Sequence, residues 1–386
     1  MIKEGVERFW VLTAASLSIF VLYAPQPLLP LFADLYGVNE PTAGLIMTAT
    51  MLPLAIAPLS YGYLLGYVQI LGLLRFSLLL LAILTAITGL VQNFPQLLIV
   101  RFLQGMIIPA SLTAVMAFLA QPGKASVNLQ RNMSLYVTAT ISGGFLGRFF
   151  AGVSSVFIDW RIFFYVLAGF LALCFYMVDP RQAINQEVGK STAVGVRLSF
   201  LRCVRPCLPV YLAIFLLFFV FCGALNYLPF RTMNLAGSRS GLLAGIMYFG
   251  YITGIMTSMG AGKIINLAGS RARVMIGGYI IFVAVLLGML IPHTLTLFLL
   301  LFPFCGAMFL VHSVATAVVN SRAEGNRGVA SALYVSSYYC GGVLGSYFPG
   351  VIFKAQGWEI MIIALVIFAL VGVTLLVVYF RENPDR

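Results

Sequence analysis

Apolar runs long enough to cross a bilayer recur along the whole chain, at 9–31, 42–65, 72–91, 96–119, 133–155, 161–178, 208–230, 241–264, 274–291, 294–318, 328–353 and 358–380. The hydrocarbon core of a bilayer takes about 20 residues of helix. Backbone in lipid has no water to satisfy its polar groups, so runs of this length have to be helical. Composition agrees, with 61% of the 386 residues hydrophobic and 9% charged, against about a quarter charged in a soluble domain. The expected fold class is an all-α membrane protein with twelve transmembrane helices. The first run is too long for a signal-peptide core and lacks a small-residue cleavage site, which makes it a retained helix.

The charge distribution gives orientation rather than a partner. Of the 23 Lys and Arg, Arg101 and Arg148 fall inside runs, Arg161, Arg231, Arg239 and Lys354 lie on one side, and the other 17 lie on the opposite side. The net charge of +12 is thus scattered between runs and forms no nucleic-acid surface. By the positive-inside rule both termini face the cytoplasm of a bacterial inner membrane. The polar stretch 179–207 divides the chain into a six-helix bundle at 1–178 and a second at 208–386.

An internal repeat supports that division. Leu135-Tyr136-Val137, Gly143-Gly144-Phe145-Leu146-Gly147 and Gly152 reappear as Leu333-Tyr334-Val335, Gly341-Gly342-Val343-Leu344-Gly345 and Gly350, each 198 residues later, as Trp358 follows Trp160. Units of six helices, an even number, share one orientation, so the halves are related by an axis along the membrane normal. The four-residue spacing of Gly143 with Gly147, and of Gly341 with Gly345, allows close helix approach.

Four further motifs stand in order. Pro25-Gln26-Pro27-Leu28-Leu29-Pro30 closes the first run, Arg101-Phe102-Leu103-Gln104-Gly105 lies in the fourth, Asp159-Trp160-Arg161 precedes the sixth, and Arg327-Gly328 opens the eleventh. Together these resemble the major facilitator superfamily, and its bacterial small-molecule and drug efflux permeases in particular, over essentially the whole chain. The resemblance implies a monomer working by alternating access, with export favoured and the first, fourth, seventh and tenth helices lining a central path. The family's GxxxDRxGRR loop after the second run reads here Gly62-Tyr63-Leu64-Leu65-Gly66-Tyr67, without its charges, and in the matching loop from Gly262 to Arg271, Asn266 replaces the acid. Gly62, Gly66, Asn266, Gly269 and Arg271 are the gating positions that the resemblance implies. Gly147-Arg148 replaces the Gly-Pro of the family's antiporter motif, which counts against drug:proton antiport.

Arg101 and Arg148 both sit roughly 8 to 11 Å inside the outer boundary, at about 1.5 Å per residue. A charge within a span costs about 2.5–3.5 kcal/mol on insertion scales, and a guanidinium cannot shed its proton. No Asp or Glu lies at comparable depth in any run. Two cations without a buried counter-ion point to an anionic or carboxylate-bearing substrate. The alternative is that each arginine fastens helix ends through carbonyls. The repeat partner of Arg148 is Ser346, so the scaffold itself does not require a charge at that position. On the path-lining helices stand Tyr23, Gln26, Gln104, Asn226, Tyr227 and His312, with Tyr338 on the eleventh. Each is a candidate substrate contact or an interhelical hydrogen bond.

The expected activity is secondary transport of a small organic anion, such as a siderophore or an organic acid, with protons as a candidate coupling ion and the lipid bilayer as surroundings. A proton-coupled exporter of lipophilic drugs, a membrane-embedded lipid enzyme and a non-transporting receptor remain alternatives. His293 and His312 are the only histidines, and no Ser-His-Asp, metal-ligand or phosphate-cradling arrangement accompanies them. No catalytic residue, metal or cofactor is expected.

Overall fold

The computed structural model describes residues 2–57, 68–120, 129–178, 196–236, 240–322 and 327–383. In chain order the helices are α1 (Ile2–Tyr23), α2 (Leu29–Tyr36), α3 (Glu40–Ile56), α4 (Ile70–Leu90), α5 (Phe94–Leu119), α6 (Leu129–Phe157), α7 (Trp160–Met177), α8 (Val196–Ala236), α9 (Ser240–Met247), α10 (Tyr251–Ala268), α11 (Arg271–Gly288), α12 (Thr294–Ser321), α13 (Arg327–Gly345) and α14 (Phe348–Glu382). Among the described residues nine helical stretches are long and apolar enough to cross a membrane. The fold is the expected all-α one. Its first span is α1 and α2 joined by a 3-10 turn at Gln26–Leu28, where prolines interrupt the backbone ladder, and its eighth is α9 and α10 joined at Tyr248–Gly250.

Two boundaries differ from the sequence expectation. Helix α8 begins at Val196, so residues 196–207 of the expected connection are helical, while 179–195 lie outside the described residues. The run 328–353 is not one helix, because α13 stops at Gly345 and α14 begins at Phe348 with Pro349 in its first turn. Gly357, at φ +84°, then bends α14 in a region of backbone space that glycine enters without penalty. Hydropathy is blind to the break between Gly345 and Phe348, which lies inside an apolar run, whereas Gly357 falls in the polar gap between the runs 328–353 and 358–380.

Local chemistry sets the ends. Asn39, Asn93, Asp159 and Ser270 each accept a hydrogen bond from a backbone N–H two or three residues further on, which satisfies donors that a helix start leaves open. Within spans the hydroxyls of Ser18, Ser77 and Thr88 return to the carbonyl four residues back. A hydroxyl in an apolar helix thereby has its bond met locally.

The repeat is visible as packing. In the N-terminal bundle α1 packs on α6, α3 on α5, and α4 on α5 and α7; in the C-terminal bundle α8 packs on α13, α10 on α12, and α11 on α12 and α14. The paired glycines bring backbones together at two of these contacts, α1 with α6 and α8 with α13. A Cβ at Gly143 would lie 2.1 Å from the Ser16 carbonyl oxygen, and one at Gly341 would lie 2.1 Å from that of Phe215. Gly147 and Gly345 abut the Phe20 and Phe219 carbonyls one turn further along. Between bundles α3 packs on α13 and α14, and α9 and α10 pack on α6.

Candidate functional site

One face of the molecule carries the starts of α1 and α8 and the end of α14 and is called the terminal face; the α1–α2 turn and the α13–α14 junction lie in the opposite, distal half. Contacts between the bundles close the distal half. A Cβ at Gly44 would lie 2.3 Å from the Ser346 carbonyl oxygen, and one at Gly245 would lie 3.0 Å from that of Phe149. The Thr48 hydroxyl donates to the Val343 carbonyl at 3.2 Å, and Gln26 Nε2 donates to Asn226 Oδ1.

Beneath this seal lies a cavity of about 380 Å³. Its two main walls are repeats of each other. Tyr136, Val137, Thr140 and Ile141 of α6 stand opposite Tyr334, Val335, Tyr338 and Tyr339 of α13, each pair 198 residues apart. From Tyr23 and Arg148 at its closed end, the cavity runs to Met116, Thr316 and Ser331, which are three, five and four residues from the terminal-face ends of α5, α12 and α13. It therefore extends toward the terminal face. Its lining is apolar and aromatic with a few polar groups, the pattern of small-molecule sites.

Arg148 is 2% exposed and follows directly on Gly147, whose close approach fixes the rotation of α6 against α1. Its Nε donates to Gln26 Oε1, and one Nη donates to the Gly144 carbonyl at 2.8 Å. The guanidinium carbon lies 3.7 Å from the Tyr23 ring centre and 4.6 Å from that of Tyr251, near enough for cation–π attraction. Among the described residues no carboxylate pairs with it. The Tyr251 hydroxyl beside it is buried without a hydrogen-bond partner, as is Asn226 Nδ2 behind Gln26. The closed end thus combines one unneutralised cation with donors lacking acceptors.

Arg101 takes the other course. It is fully buried and donates to the carbonyls of Val21 at 2.9 Å and Leu22 at 2.7 Å, and to Gln104 Oε1 at 2.6 Å. The helical donor for the Val21 carbonyl would be residue 25, a proline with no N–H, so Arg101 supplies what the α1 break removes. Gln104 is held in turn by its donation to Thr85 and Thr88, each at 3.3 Å. Neither Arg101 nor Gln104 lines the cavity.

The other predicted residues separate in the same way. Tyr23, His312 and Tyr338 line the cavity with Arg148. Gln26 and Asn226 form the link behind it, and Tyr227 donates to the Ser346 carbonyl at 2.8 Å within the distal packing. Of the gating positions, Gly62 and Gly66 lie outside the described residues. Gly269 ends α10 at φ +76°, Arg271 reaches Ser321 Oγ at 3.4 Å, and Asn266 is exposed. Tyr136, Thr140, Tyr251, Thr316 and Ser331 also line the cavity and were not singled out from the sequence. The repeat held the signal for Tyr136 and Thr140, which stand 198 residues before Tyr334 and Tyr338.

The residue preferences that define the Major Facilitator Superfamily match this chain over 11–321 and again over 233–386. The chain belongs to that superfamily. Within it, the inner membrane transport protein YnfM of Escherichia coli K12 is 28% identical over 97% of this chain and 92% of its own length. An MFS-type transporter of Bacillus subtilis 168, YybF, is 25% identical over all of this chain and 98% of its own. Among solved structures, a mutant of the nucleoside transporter NupG matches with a TM-score of 0.79 at 12% identity, covering 98% of this chain and all of that one. A bacterial homologue of the human lysosomal transporter Spinster, inward-facing and unoccupied, matches with a TM-score of 0.73 at 14% identity, covering 98% and 97% of the two chains. As a superfamily member the protein is a multi-pass membrane transporter of a small solute.

Proposed function

We propose that this transporter carries a small organic anion or carboxylate-bearing amphiphile by alternating access across a bacterial inner membrane, with both termini cytoplasmic and export favoured. An organic acid or a carboxylate siderophore fits this description. The observation that carries the reading is Arg148, a buried cation at the closed end of the cavity with neutral oxygens as its hydrogen-bond acceptors. Five guanidinium N–H donors are not exhausted by two acceptors, and a cation away from water gains most from a bound anion.

The positive-inside distribution supports cytoplasmic termini. In that orientation the terminal face is the cytoplasmic one and the arrangement is inward-facing. Domain boundaries of 1–178 and 208–386, with the connection between them, follow from the repeat, and the working unit is a monomer. The apolar, aromatic walls favour a second reading, a multidrug exporter taking lipophilic compounds whatever their charge.

Counterflow in proteoliposomes tests the choice. Medium-chain and aromatic carboxylates should exchange, and Arg148→Ser should abolish exchange in protein that still melts cooperatively. Equal exchange of neutral and cationic compounds by both proteins would give the second reading. Repeating the assay with and without an imposed proton gradient separates proton coupling from uniport.

A further inference from the structure

His312 and Tyr334 meet twice in the cavity wall. The Tyr334 hydroxyl lies 2.9 Å from His312 Nδ1 and donates to the His312 backbone carbonyl, also at 2.9 Å. A phenol carries a single proton, and a carbonyl oxygen only accepts. With its proton committed to the carbonyl, the Tyr334 oxygen is left to accept from Nδ1. A neutral His312 ring therefore carries its hydrogen on Nδ1 and leaves Nε2 as a bare lone pair. The ring lines the cavity. Among the described residues no donor meets Nε2, and it is not one of the buried polar atoms sealed off without a partner.

The cavity thus offers contacts of opposite sense, a cationic donor at Arg148 and a neutral acceptor at His312. Tyr334 and Tyr338, which flank His312, precede Ser346 by 12 and 8 residues, and Ser346 is the repeat partner of Arg148. At about 1.5 Å per residue His312 therefore stands roughly 12 to 18 Å closer to the terminal face than Arg148. The wall between them is apolar, with Val137, Ile141, Phe221 and Phe309 contributing.

We propose that His312 Nε2 is a specificity-determining acceptor, and that the substrates are extended amphiphilic anions with a hydroxyl or N–H donor at the end remote from the acid. The proposal rests on the anion reading of Arg148. Tyr334 is a positioning residue, since it fixes which ring nitrogen presents the lone pair.

The test is calorimetric titration of the full-length protein in nanodiscs with hexanoate, octanoate and decanoate, each compared with its ω-hydroxy counterpart. The hydroxyl should tighten binding by about threefold to tenfold at one best chain length. That gain should vanish in His312→Phe, return in part in His312→Gln, and shrink in Tyr334→Phe, where the tautomer is no longer fixed. Melting of the unliganded variants reports whether they fold. Parent acids that bind in an Arg148-dependent way while the hydroxyl adds nothing at any length would overturn the proposal and leave the anion reading intact, as would a hydroxyl gain that survives in His312→Phe. If neither series binds, or binding ignores Arg148→Ser, the anion reading falls and this proposal falls with it.

Discussion

Arg101 and Arg148 sit at matching depths in neighbouring spans, yet one donates to the carbonyls of a broken helix end and the other lines the cavity between the bundles. The sequence supplied both readings without assigning them, because depth follows from position in a run whereas rotation follows from packing against neighbours. Pro25 was the clue to Arg101, since it leaves the Val21 carbonyl without its helical donor. Arg101→Leu should therefore act on stability: the Val21 and Leu22 carbonyls and Gln104 lose their donor, at a cost of about 1–3 kcal/mol for each group left unmet. The yield of folded protein and its melting temperature in detergent are the readouts. A variant that melts like the wild type but fails to transport would instead put Arg101 in the solute path.

At the scale of elements, helix existence and the pairing of halves were legible, and helix interruptions were not. Apolar length marks a span, but it does not register that a 3-10 turn splits the first or that Gly345 ends α13, whereas the bend at Gly357 falls in the gap between the runs 328–353 and 358–380. The glycine pairs were legible in kind, and the structure adds their partners: Ser16 and Phe20 of α1 for one pair, Phe215 and Phe219 of α8 for the other. Gly143→Leu and Gly341→Leu should each fail to give folded protein, because even a Cβ would lie 2.1 Å from a backbone oxygen that cannot move aside. Gly277→Ala on α11, where nothing lies within 4 Å of the added carbon, should fold and melt normally, or slightly higher, since alanine is favoured over glycine in a helix by about 1 kcal/mol. Size-exclusion profiles after detergent extraction distinguish these outcomes. Monodisperse Gly143→Leu protein would show that α1 and α6 do not meet as described.

For the whole molecule, the distal contacts and the terminal-side cavity form a single arrangement, closed where Gly44 meets Ser346 and extending toward the ends of α5, α12 and α13. In a cysteine-free background Thr140→Cys should react with an impermeant maleimide from the terminal face and hardly at all from the distal face. Adding Gly44→Leu, which forces α3 away from α13, should raise labelling from the distal face; labelling that stays one-sided would mean that the closure lies elsewhere. The repeat made this two-fold plan legible in advance, since positions 198 apart form opposing walls. The solute was not legible in the same way, because the repeat says nothing of positions where its halves have diverged, such as Arg148 against Ser346, and the proposed anion site rests on that divergence. The most direct test is thus the ligand-induced melting shift of the purified wild type and of Arg148→Ser across matched anionic, neutral and cationic compounds. Anions should raise the melting temperature of the wild type and leave that of Arg148→Ser unmoved, whereas equal shifts in both proteins, or shifts by cations and neutral compounds alone, would contradict an anion site at Arg148.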